Sequence, residues 1–231
     1  MSLRARGAVT LVLIAGVLGL GLAIAVHQDP AAGADTATMQ WFLHHRTPWV
    51  THLATVISGI FAPGWVAAAA VAVAVVLVAH DRRLDRGVRV LAAVAVAGAI
   101  AEVFKVAVDR LRPPAVDQVG SPGAAMSFPS GHVTGTCALL LAVATTIAVH
   151  RLARTLAVVT ASLGAGAVAV TRLYLGAHWL TDVVASVAVA VAAVLAAPPV
   201  VGTLLTLIRP HLPVRLRTLV AGTGPISYSA R

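Results

Sequence analysis

The sequence predicts an all-α, polytopic membrane protein of about six transmembrane helices in a bundle, and three observations support this prediction. Of the 231 residues, 59% are hydrophobic and only 11% are charged, whereas a soluble domain carries about 25% charged residues. The apolar residues occur in long runs rather than in amphipathic stripes. These runs approach the roughly 20 apolar residues that a bilayer span needs. We therefore expect a single integral membrane domain over residues 1–231.

Six apolar runs supply the expected spans, and within them only Glu102 and Lys105 are charged. The runs cover residues 8–26, 66–79, 90–108, 133–149, 156–170 and 183–197. The shorter runs reach the length of a span once flanking Ser, Thr and Gly residues are included. Arg4 and Arg6 precede the first run as in a signal peptide, but the apolar core of such a peptide is about 7–15 residues long. We therefore expect the first helix to be retained.

Two longer segments between the spans differ in character. Residues 27–61 contain Trp41 and Trp49, and tryptophan favours the membrane–water interface. Residues 39–53 are therefore expected to form a short interfacial helix interrupted by Pro48, with an irregular polar loop as the alternative. Residues 109–131 are rich in proline and glycine, which predicts a true loop between spans three and four. Pro198 and Pro199 are expected to end the sixth span.

Composition argues against several other functions. The formal net charge of +9 is dispersed through short loops and forms no basic stripe, so no nucleic-acid partner is expected. The single cysteine, Cys137, can form neither an intrachain disulfide nor a cysteine-rich zinc site. The histidines at positions 44, 45 and 52 fit an interfacial segment better than a metal site. No cluster of carboxylates suits magnesium, and no metal or other cofactor is predicted.

The first of three polar segments near the span ends joins Lys105 to Arg112. These residues are seven apart, or about two helical turns, so both cations can share a face. An ionisable residue near the end of an apolar run is a functional candidate by default. Pro113 disfavours helical geometry at Arg112, which then projects beyond the helix end. Glu102 is the expected ion-pair partner of Lys105.

The second segment is Pro129-Ser130-Gly131-His132, directly before the fourth span. Ser130 suits an N-cap, and Gly131 lets backbone amides approach a ligand closely. A helix N-terminus with free amides binds anions. A plain capped helix start accounts for Ser130 and Gly131, but it leaves His132 at the membrane boundary unexplained.

The third segment contains Arg172, His178 and Asp182. The last two are four residues apart, so Asp182 can accept a hydrogen bond from one ring nitrogen of His178. This bond fixes the tautomer and leaves the other nitrogen as a nucleophile. A His-x3-Asp pair alone is weak support, because it is also a common pair on helix surfaces.

The topology of antiparallel spans brings the three segments to one face of the membrane. They fall at the end of span three, the start of span four, the end of span five and the start of span six. Together they contain three cations, an amide-rich helix start, two histidines and a carboxylate. Phosphoryl transfer needs such a set, with cations and amides for the phosphate oxygens, a nucleophile and an acid.

The motifs Lys105-x6-Arg112-Pro113, Pro129-Ser130-Gly131-His132 and Thr171-Arg172-x5-His178-x3-Asp182 resemble the signature of the type 2 phosphatidic acid phosphatase superfamily. This superfamily includes bacterial lipid phosphate phosphatases, soluble acid phosphatases and vanadium haloperoxidases. The motifs extend over residues 105–182, and the six-span pattern is similar to that of the membrane branch. Thr171 stands where the family usually has serine, and both residues offer a hydroxyl.

The resemblance implies a role for each motif residue. The implied phosphate ligands are Lys105, Arg112, Ser130, Gly131 and Arg172. His178 is implied to attack phosphorus and form a phosphohistidine, while Asp182 orients it and stabilises its developing charge. His132 is implied to protonate the leaving group and then to activate water. These roles need no metal, but they need a neutral His178 beside a protonated His132.

The expected substrate is a lipid phosphate in the membrane: phosphatidate, phosphatidylglycerophosphate or a polyprenyl diphosphate such as undecaprenyl diphosphate. A lipid phosphotransferase on the same scaffold, which passes the group to an alcohol instead of water, is the alternative enzyme. A membrane transporter is the alternative from another class, but it predicts polar groups near the midplane. The haloperoxidases are not built of spanning helices. No pattern predicts an oligomeric state.

The distribution of basic residues predicts the orientation. With a cytoplasmic N-terminus, the inside segments carry twelve of the 17 basic residues: Arg4, Arg6, Arg82, Arg83, Arg86, Arg89, Arg151, Arg154, Arg209, Arg215, Arg217 and Arg231. The opposite face then carries Arg46, Lys105, Arg110, Arg112 and Arg172. Because positive charge stays cytoplasmic during insertion, we expect a multi-pass protein of the cell membrane with both termini inside. The catalytic groups are then extracytoplasmic, which suits recycling of a polyprenyl carrier.

Overall fold

The structure, a computed structural model, describes residues 1–120, 125–148 and 150–220, and this part of the chain is helical. The helices are α1 (Leu3–Ala25), α2 (Ala32–His44), α3 (Pro48–Ile60), α4 (Pro63–Asp81), α5 (Asp85–Val108), α6 (Gly131–Ile147), α7 (Arg151–Tyr174), α8 (Leu180–Ile208) and α9 (Val214–Val220). Short 3₁₀ helices cover Ala115–Asp117 and Arg209–His211. Pro122 and Gly123 of the predicted loop, Val149 of the fourth run, and Arg231 lie outside the described residues.

The predicted spans correspond to long apolar helices. Within the described ranges, five helices are long and apolar enough to cross a membrane: α1, α4, α5, α7 and α8. Helix α6 is also apolar but has 17 residues, at the lower end of the range of about 17–25 residues for a span. The prediction of an all-α membrane fold is therefore confirmed.

Helices α5, α6 and α8 form the centre of the bundle. Helix α5 packs against α1, α4, α6 and α8, and α7 packs against α6. Small residues fill these contacts, with Ala97 of α5 and Ala190 of α8 fully buried. At Gly87, where α4 and α5 meet, an added Cβ would lie 2.7 Å from the carbonyl oxygen of Ala74. Small residues allow helices to approach this closely where lipid supplies no hydrophobic driving force.

The segment after the first span forms two helices instead of a single interrupted one. Residues 39–53 are shared between α2 and α3, which have 13 residues each. Pro48 does interrupt the predicted helix, and it does so as the first residue of α3, where the missing N–H is not needed. The Oγ of Thr47 caps this helix by accepting from Val50 N at 3.4 Å. Both helices pack against α7, so the alternative of an irregular loop is excluded.

The expectation that Pro198 and Pro199 end the sixth span is wrong, because α8 continues through them to Ile208. Each proline removes a backbone donor, but membrane helices tolerate this loss where neighbouring elements hold the backbone. Ala197 packs in a cluster with residues of α4, α5 and α6. Beyond the prolines, Val201 and Leu205 are buried against α9. Burial on both sides of the prolines thus keeps the helix continuous.

The loop between α5 and α6 is tied to two other parts of the chain. The guanidinium of Arg46 donates to the carbonyl oxygens of Asp117 at 2.7 Å and of Tyr174 at 3.0 Å. Val119 N donates to Leu175 O at 2.9 Å. These bonds join the loop to the α2–α3 connection and to the end of α7, and they close one end of the bundle.

The contact between α4 and α5 predicts a stability difference between two glycines of α5. Gly87→Ala places its Cβ 2.7 Å from Ala74 O and 2.8 Å from the Val78 side chain. We expect overpacking of this kind to cost about 1–3 kcal/mol and to lower the Tm in detergent. Gly98→Ala is the matched control, because nothing lies within 4 Å of its Cβ position. Equal melting temperatures for the two variants would contradict the packing described.

Candidate active site

The structure brings all three polar segments to the end of the bundle that the α5–α6 loop closes. Lys105 lies near the end of α5, the Ser130-Gly131-His132 segment begins α6, and Arg172 lies in the last turn of α7. His178 lies between α7 and α8, and Asp182 is in the first turn of α8. A Cβ added at Gly131 would lie 3.5 Å from Lys105 Nζ. His132 is within electrostatic range of Lys105, Arg112, Arg172 and His178.

The imidazole of His178 is held through both ring nitrogens. Nδ1 lies 2.9 Å from the carbonyl oxygen of Ser127 and 3.4 Å from Oδ2 of Asp182. Both neighbours are acceptors, so Nδ1 carries the proton. Nε2 lies 3.0 Å from Nη1 of Arg112, which only donates, so Nε2 presents its lone pair. The sequence predicted Asp182 as the acceptor, but the backbone of Ser127 is the closer one.

The surroundings of His178 favour its neutral form. The residue is 3% exposed. Burial lowers the pKa of His178 to about 4, with Asp182 opposing the shift and Arg112 and Arg172 adding to it. Burial also lowers the pKa of Arg112, against the attraction of Asp182, but an arginine in a protein remains charged at neutral pH. An uncharged imidazole thus faces a charged guanidinium.

The carboxylate of Asp182 is completely buried and accepts hydrogen bonds at both oxygens. Oδ2 accepts from the backbone N–H of Trp179 at 2.9 Å, which caps the start of α8. Oδ1 accepts from Nη1 of Arg110 at 2.8 Å. The backbone carbonyl of Asp182 accepts from Ser186 Oγ at 2.7 Å, one turn later. The residue is thereby fixed to the first turns of α8.

The role of Arg110 was not predicted from the sequence, where this residue is only one of the basic residues of one face. Nη1 donates to Thr181 Oγ1 at 2.6 Å and to Asp182 at 2.8 Å, and Nη2 donates to Asp29 at 2.8 Å and Asp35 at 2.6 Å. Burial works against its charge, but Asp182 and Asp35 outweigh burial and raise the pKa of Arg110. One available signal was the scarcity of carboxylates: a charge beside an apolar run needs a partner, and Asp29 lies in the α1–α2 connection and Asp35 in the first turn of α2.

Four buried polar atoms near the start of α6 and the end of α7 have no hydrogen-bond partner among the described residues: Ser130 Oγ, Thr134 Oγ1, Thr136 Oγ1 and Arg172 Nε. Of these, Ser130 Oγ and Arg172 Nε belong to the predicted phosphate ligands. Nη1 of Arg172 does have a partner, because it donates to Ser58 Oγ of α3 at 2.5 Å. Buried polar atoms are normally satisfied, so donors left over beside a cluster of cations suit an oxyanion. No pattern in the sequence indicated Ser58.

Lys105 has the partner that was predicted for it. Its Nζ lies 2.5 Å from Oε1 of Glu102, one turn earlier on α5. The Glu102 side chain is 70% exposed, whereas that of Lys105 is 15% exposed. The ammonium group therefore lies at the inner end of the pair, next to Gly131.

Gly176 shapes the turn that carries His178. It has a φ of +65°, a left-handed conformation that L side chains rarely adopt, and a Cβ there would collide with the carbonyl oxygen of Asp117. Gly176 N donates to Leu173 O at 3.0 Å, and Ala177 N donates to Arg172 O at 3.0 Å. The end of α7 therefore turns tightly towards α8, with the α5–α6 loop against it.

In the described ranges, no group of three or more His, Cys, Asp or Glu side chains is placed to hold a metal ion. His44 and His45, two of the interfacial histidines, direct Nδ1 to the backbone carbonyls of Gln40 and Trp41 at 2.7 Å each.

The chain resembles known proteins in sequence pattern and in fold. The PAP2 superfamily matches residues 86–205, just over half of the chain. A search of the curated proteins found no match. Among solved structures, the chain is similar to the first transmembrane PAP2-type phosphatidylglycerolphosphate phosphatase, from Bacillus subtilis. The TM-score is 0.71 and the identity 21%, over 86% of this chain and 96% of that chain. At this identity the likeness shows a common fold.

Proposed function

The chain belongs to the PAP2 superfamily, and from this premise we propose that it is a membrane lipid phosphatase acting through a phosphohistidine. The observation that carries the proposal is the state of His178. Its Nδ1 proton is directed to Ser127 O at 2.9 Å, and its Nε2 lone pair is directed to Arg112 at 3.0 Å. A neutral imidazole aimed at a cluster of cations suits nucleophilic attack on a bound phosphate.

The proposed first step transfers the phosphoryl group to the enzyme. Lys105, Arg112 and Arg172 bind the phosphate oxygens, together with the Ser130 hydroxyl and the Gly131 amide. The lone pair of Nε2 forms a bond to phosphorus as the bond from phosphorus to the leaving oxygen breaks. His132 donates a proton to that oxygen. Asp182 and the carbonyl of Ser127 stabilise the positive charge that develops on the imidazole.

The proposed second step releases inorganic phosphate. His132 now takes a proton from water, the water oxygen bonds to phosphorus, and the phosphorus–nitrogen bond breaks. This returns His178 to its neutral form and His132 to its protonated form. Three cations already balance the phosphate charge, so we propose that the reaction needs no divalent metal. In the alternative, a lipid phosphotransferase, an alcohol takes the place of water in this step.

The position of the site supports an enzyme over a membrane transporter. The charged residues of the candidate site lie together at one end of the bundle, beside the ends of α5 and α7 and the starts of α6 and α8. A transporter site is expected near the midplane, between broken helices.

An apolar groove next to the phosphate site supports a lipid substrate. Val56, Gly59, Ile60 and Trp65 line an open cavity of about 500 Å³. Residues next to these in the sequence reach the site, since Ser58 accepts a hydrogen bond from Arg172 and Pro63 approaches the start of α6 at Gly131. Trp65 is 69% exposed. We propose that this groove takes the hydrocarbon tail nearest the phosphate.

The substrate candidates are phosphatidate, phosphatidylglycerophosphate and a polyprenyl diphosphate such as undecaprenyl diphosphate. Phosphatidylglycerophosphate has support from the name of the Bacillus subtilis protein of the same fold. An extracytoplasmic site, as the distribution of basic residues predicts, favours head groups in the outer leaflet. Phosphate release across these lipids, with and without an added acceptor alcohol, distinguishes the substrates and separates hydrolysis from transfer.

The first prediction tests the nucleophile. In detergent with EDTA, the wild type should release phosphate from a lipid phosphate and form an acid-labile phosphoenzyme. His178→Ala should show neither. His132→Ala should slow turnover by about 10²–10⁴-fold, the usual contribution of one acid–base group. Near-normal turnover in His178→Ala, or a wild type that depends on added magnesium, would refute the mechanism.

The second prediction tests the groove with two neighbouring glycines. Nothing lies within 4 Å of a Cβ at Gly59 or Gly64, so a side chain can leave the backbone at either position without a clash, but of the two only Gly59 lines the cavity. Gly59→Leu should raise KM for a long-chain lipid phosphate by about 10-fold, the value of one or two lost apolar contacts. It should leave a water-soluble short-chain substrate unaffected. Equal kinetics for Gly59→Leu and Gly64→Leu with both substrates would exclude the groove as the tail site.

The third prediction tests the proposed orientation, with both termini cytoplasmic and the site outside. Val116, in the loop on the site face, is 89% exposed, and the His80 side chain, at the end of α4, is 81% exposed. A membrane-impermeant thiol reagent should label Val116→Cys in intact cells and His80→Cys only after permeabilisation. The native Cys137 is buried and should contribute little. The opposite pattern would reverse the topology.

A further inference from the structure

We propose that Arg110 and Asp35 are positioning residues that hold the His178–Asp182 pair in its reactive geometry from outside the phosphate site. This inference rests on the proposed function. It adds to the reaction a segment, the start of α2, that lies outside residues 86–205 matched by the family.

Arg110 uses the two ends of its guanidinium for different parts of the chain. Nη1 binds the start of α8 through Thr181 Oγ1 at 2.6 Å and Asp182 Oδ1 at 2.8 Å. Nη2 binds Asp35 at 2.6 Å and Asp29 at 2.8 Å. The arginine side chain is 11% exposed, and its guanidinium also lies 5.5 Å from the ring centroid of Trp179. A planar fork fixed at both ends has little freedom to move.

Asp35 braces the same helix start directly. Its Oδ1 accepts from Thr181 N at 2.8 Å, and its Oδ2 accepts from Thr181 Oγ1 at 2.7 Å. The carboxylate is 1% exposed and lies in the first turn of α2. The carboxylates of Asp35 and Asp182 thus both accept hydrogen bonds from backbone N–H groups at the start of α8. Arg110 supplies a cation that both of them share.

This arrangement determines how Asp182 acts on His178. With Oδ1 drawn to Arg110 and Oδ2 bonded to Trp179 N, the carboxylate stays 3.4 Å from Nδ1. The shorter bond from Nδ1 goes to the carbonyl of Ser127 at 2.9 Å. Arg110 therefore compensates part of the negative charge of Asp182. Asp182 can then orient the imidazole without raising its pKa enough to add a second proton.

The arrangement makes a pH-dependent prediction. Arg110→Gln removes the cation that is bound to Oδ1 of Asp182. More of the negative charge of Asp182 then acts on His178, and the pKa of His178 rises from the wild-type value of about 4. Protonated His178 has no free lone pair, so activity should be lost at a higher pH as the pH falls. The other titratable and charged groups that face His178 are Arg112 of the α5–α6 loop, His132 of α6, Arg172 of α7 and Asp182 of α8. All of them remain in the variant.

The experiment compares Arg110→Gln, Arg110→Lys and Asp35→Asn with the wild type, using a lipid phosphate in detergent. For Arg110→Gln we expect kcat to fall by about 10–100-fold, the range caused by displacing a reacting group by less than about 1 Å. Ki for inorganic phosphate should stay within about 3-fold, because the phosphate ligands are unchanged, and the acid limb of kcat/KM should move to higher pH. Arg110→Lys keeps the positive charge but loses the two-ended guanidinium. For this variant kcat should fall, while the acid limb of kcat/KM should stay at the wild-type pH. Asp35→Asn should lower kcat less.

Arg86→Gln is the matched control. Arg86 is another partly buried arginine bound to an aspartate, Asp81 at 3.2 Å, but it lies at the other end of the bundle, where it also binds Thr146 O. The turnover of Arg86→Gln should match that of the wild type. If Arg110→Gln is not recovered as a monodisperse, folded protein, Arg110→Lys and Asp35→Asn carry the test.

The outcomes separate this inference from the proposed function. An active wild type with Arg110 and Asp35 variants that behave like Arg86→Gln would overturn the positioning role and leave the function standing. A loss of kcat with an equal rise in Ki for phosphate and an unmoved acid limb in Arg110→Gln would also overturn it, because a general loss of site structure predicts that pattern. A wild type without turnover would overturn the proposed function and this inference with it.

Discussion

The carboxylate of Asp182 has no exposed surface, and a charge in such a place is tolerated only where cations and hydrogen-bond donors surround it. Arg110, the backbone of Trp179 and the ring of His178 meet this need. Meeting it requires that the end of α5, the turn before α8 and the start of α2 converge on one point. The position of the first turn of α8, and with it one of the contacts that orient the imidazole, depends on this compensation.

Sequence patterns sufficed for those parts of the site that follow from topology. Antiparallel spans must bring the ends of α5 and α7 to the same face as the starts of α6 and α8, so Lys105, His132 and His178 were expected together, and the structure places them so. The pairing of Lys105 with Glu102 is local and was predicted from a spacing of one turn. Arg110 and Asp35 are 75 residues apart, and no spacing rule joins residues across four helices. Their contact depends on how α2 packs, which periodicity does not reveal.

The helix boundaries predicted from prolines were right at Pro48 and wrong at Pro198 and Pro199, and the difference has a physical reason. At Pro48 the local rule was sufficient, because a proline costs nothing in the first turn of a helix, and α3 begins there. At Pro198 and Pro199 the local cost is real, but the apolar residues on either side, Ala197 and Val201, are buried in separate clusters. Tertiary packing outweighs the lost hydrogen bonds, and α8 stays continuous.

The hydrogen bond from Arg112 to Nε2 of His178 means that the nucleophile of the proposed mechanism is occupied before substrate binds. The lone pair that has to attack phosphorus is already occupied by a guanidinium proton. A phosphate that draws Arg112 onto its own oxygens delivers the electrophile and uncovers the lone pair in the same movement. An uncharged electrophile does not attract the guanidinium of Arg112, so Nε2 of His178 stays hydrogen-bonded to it. Under the proposed mechanism, the reactivity of His178 is therefore conditional on a bound anion.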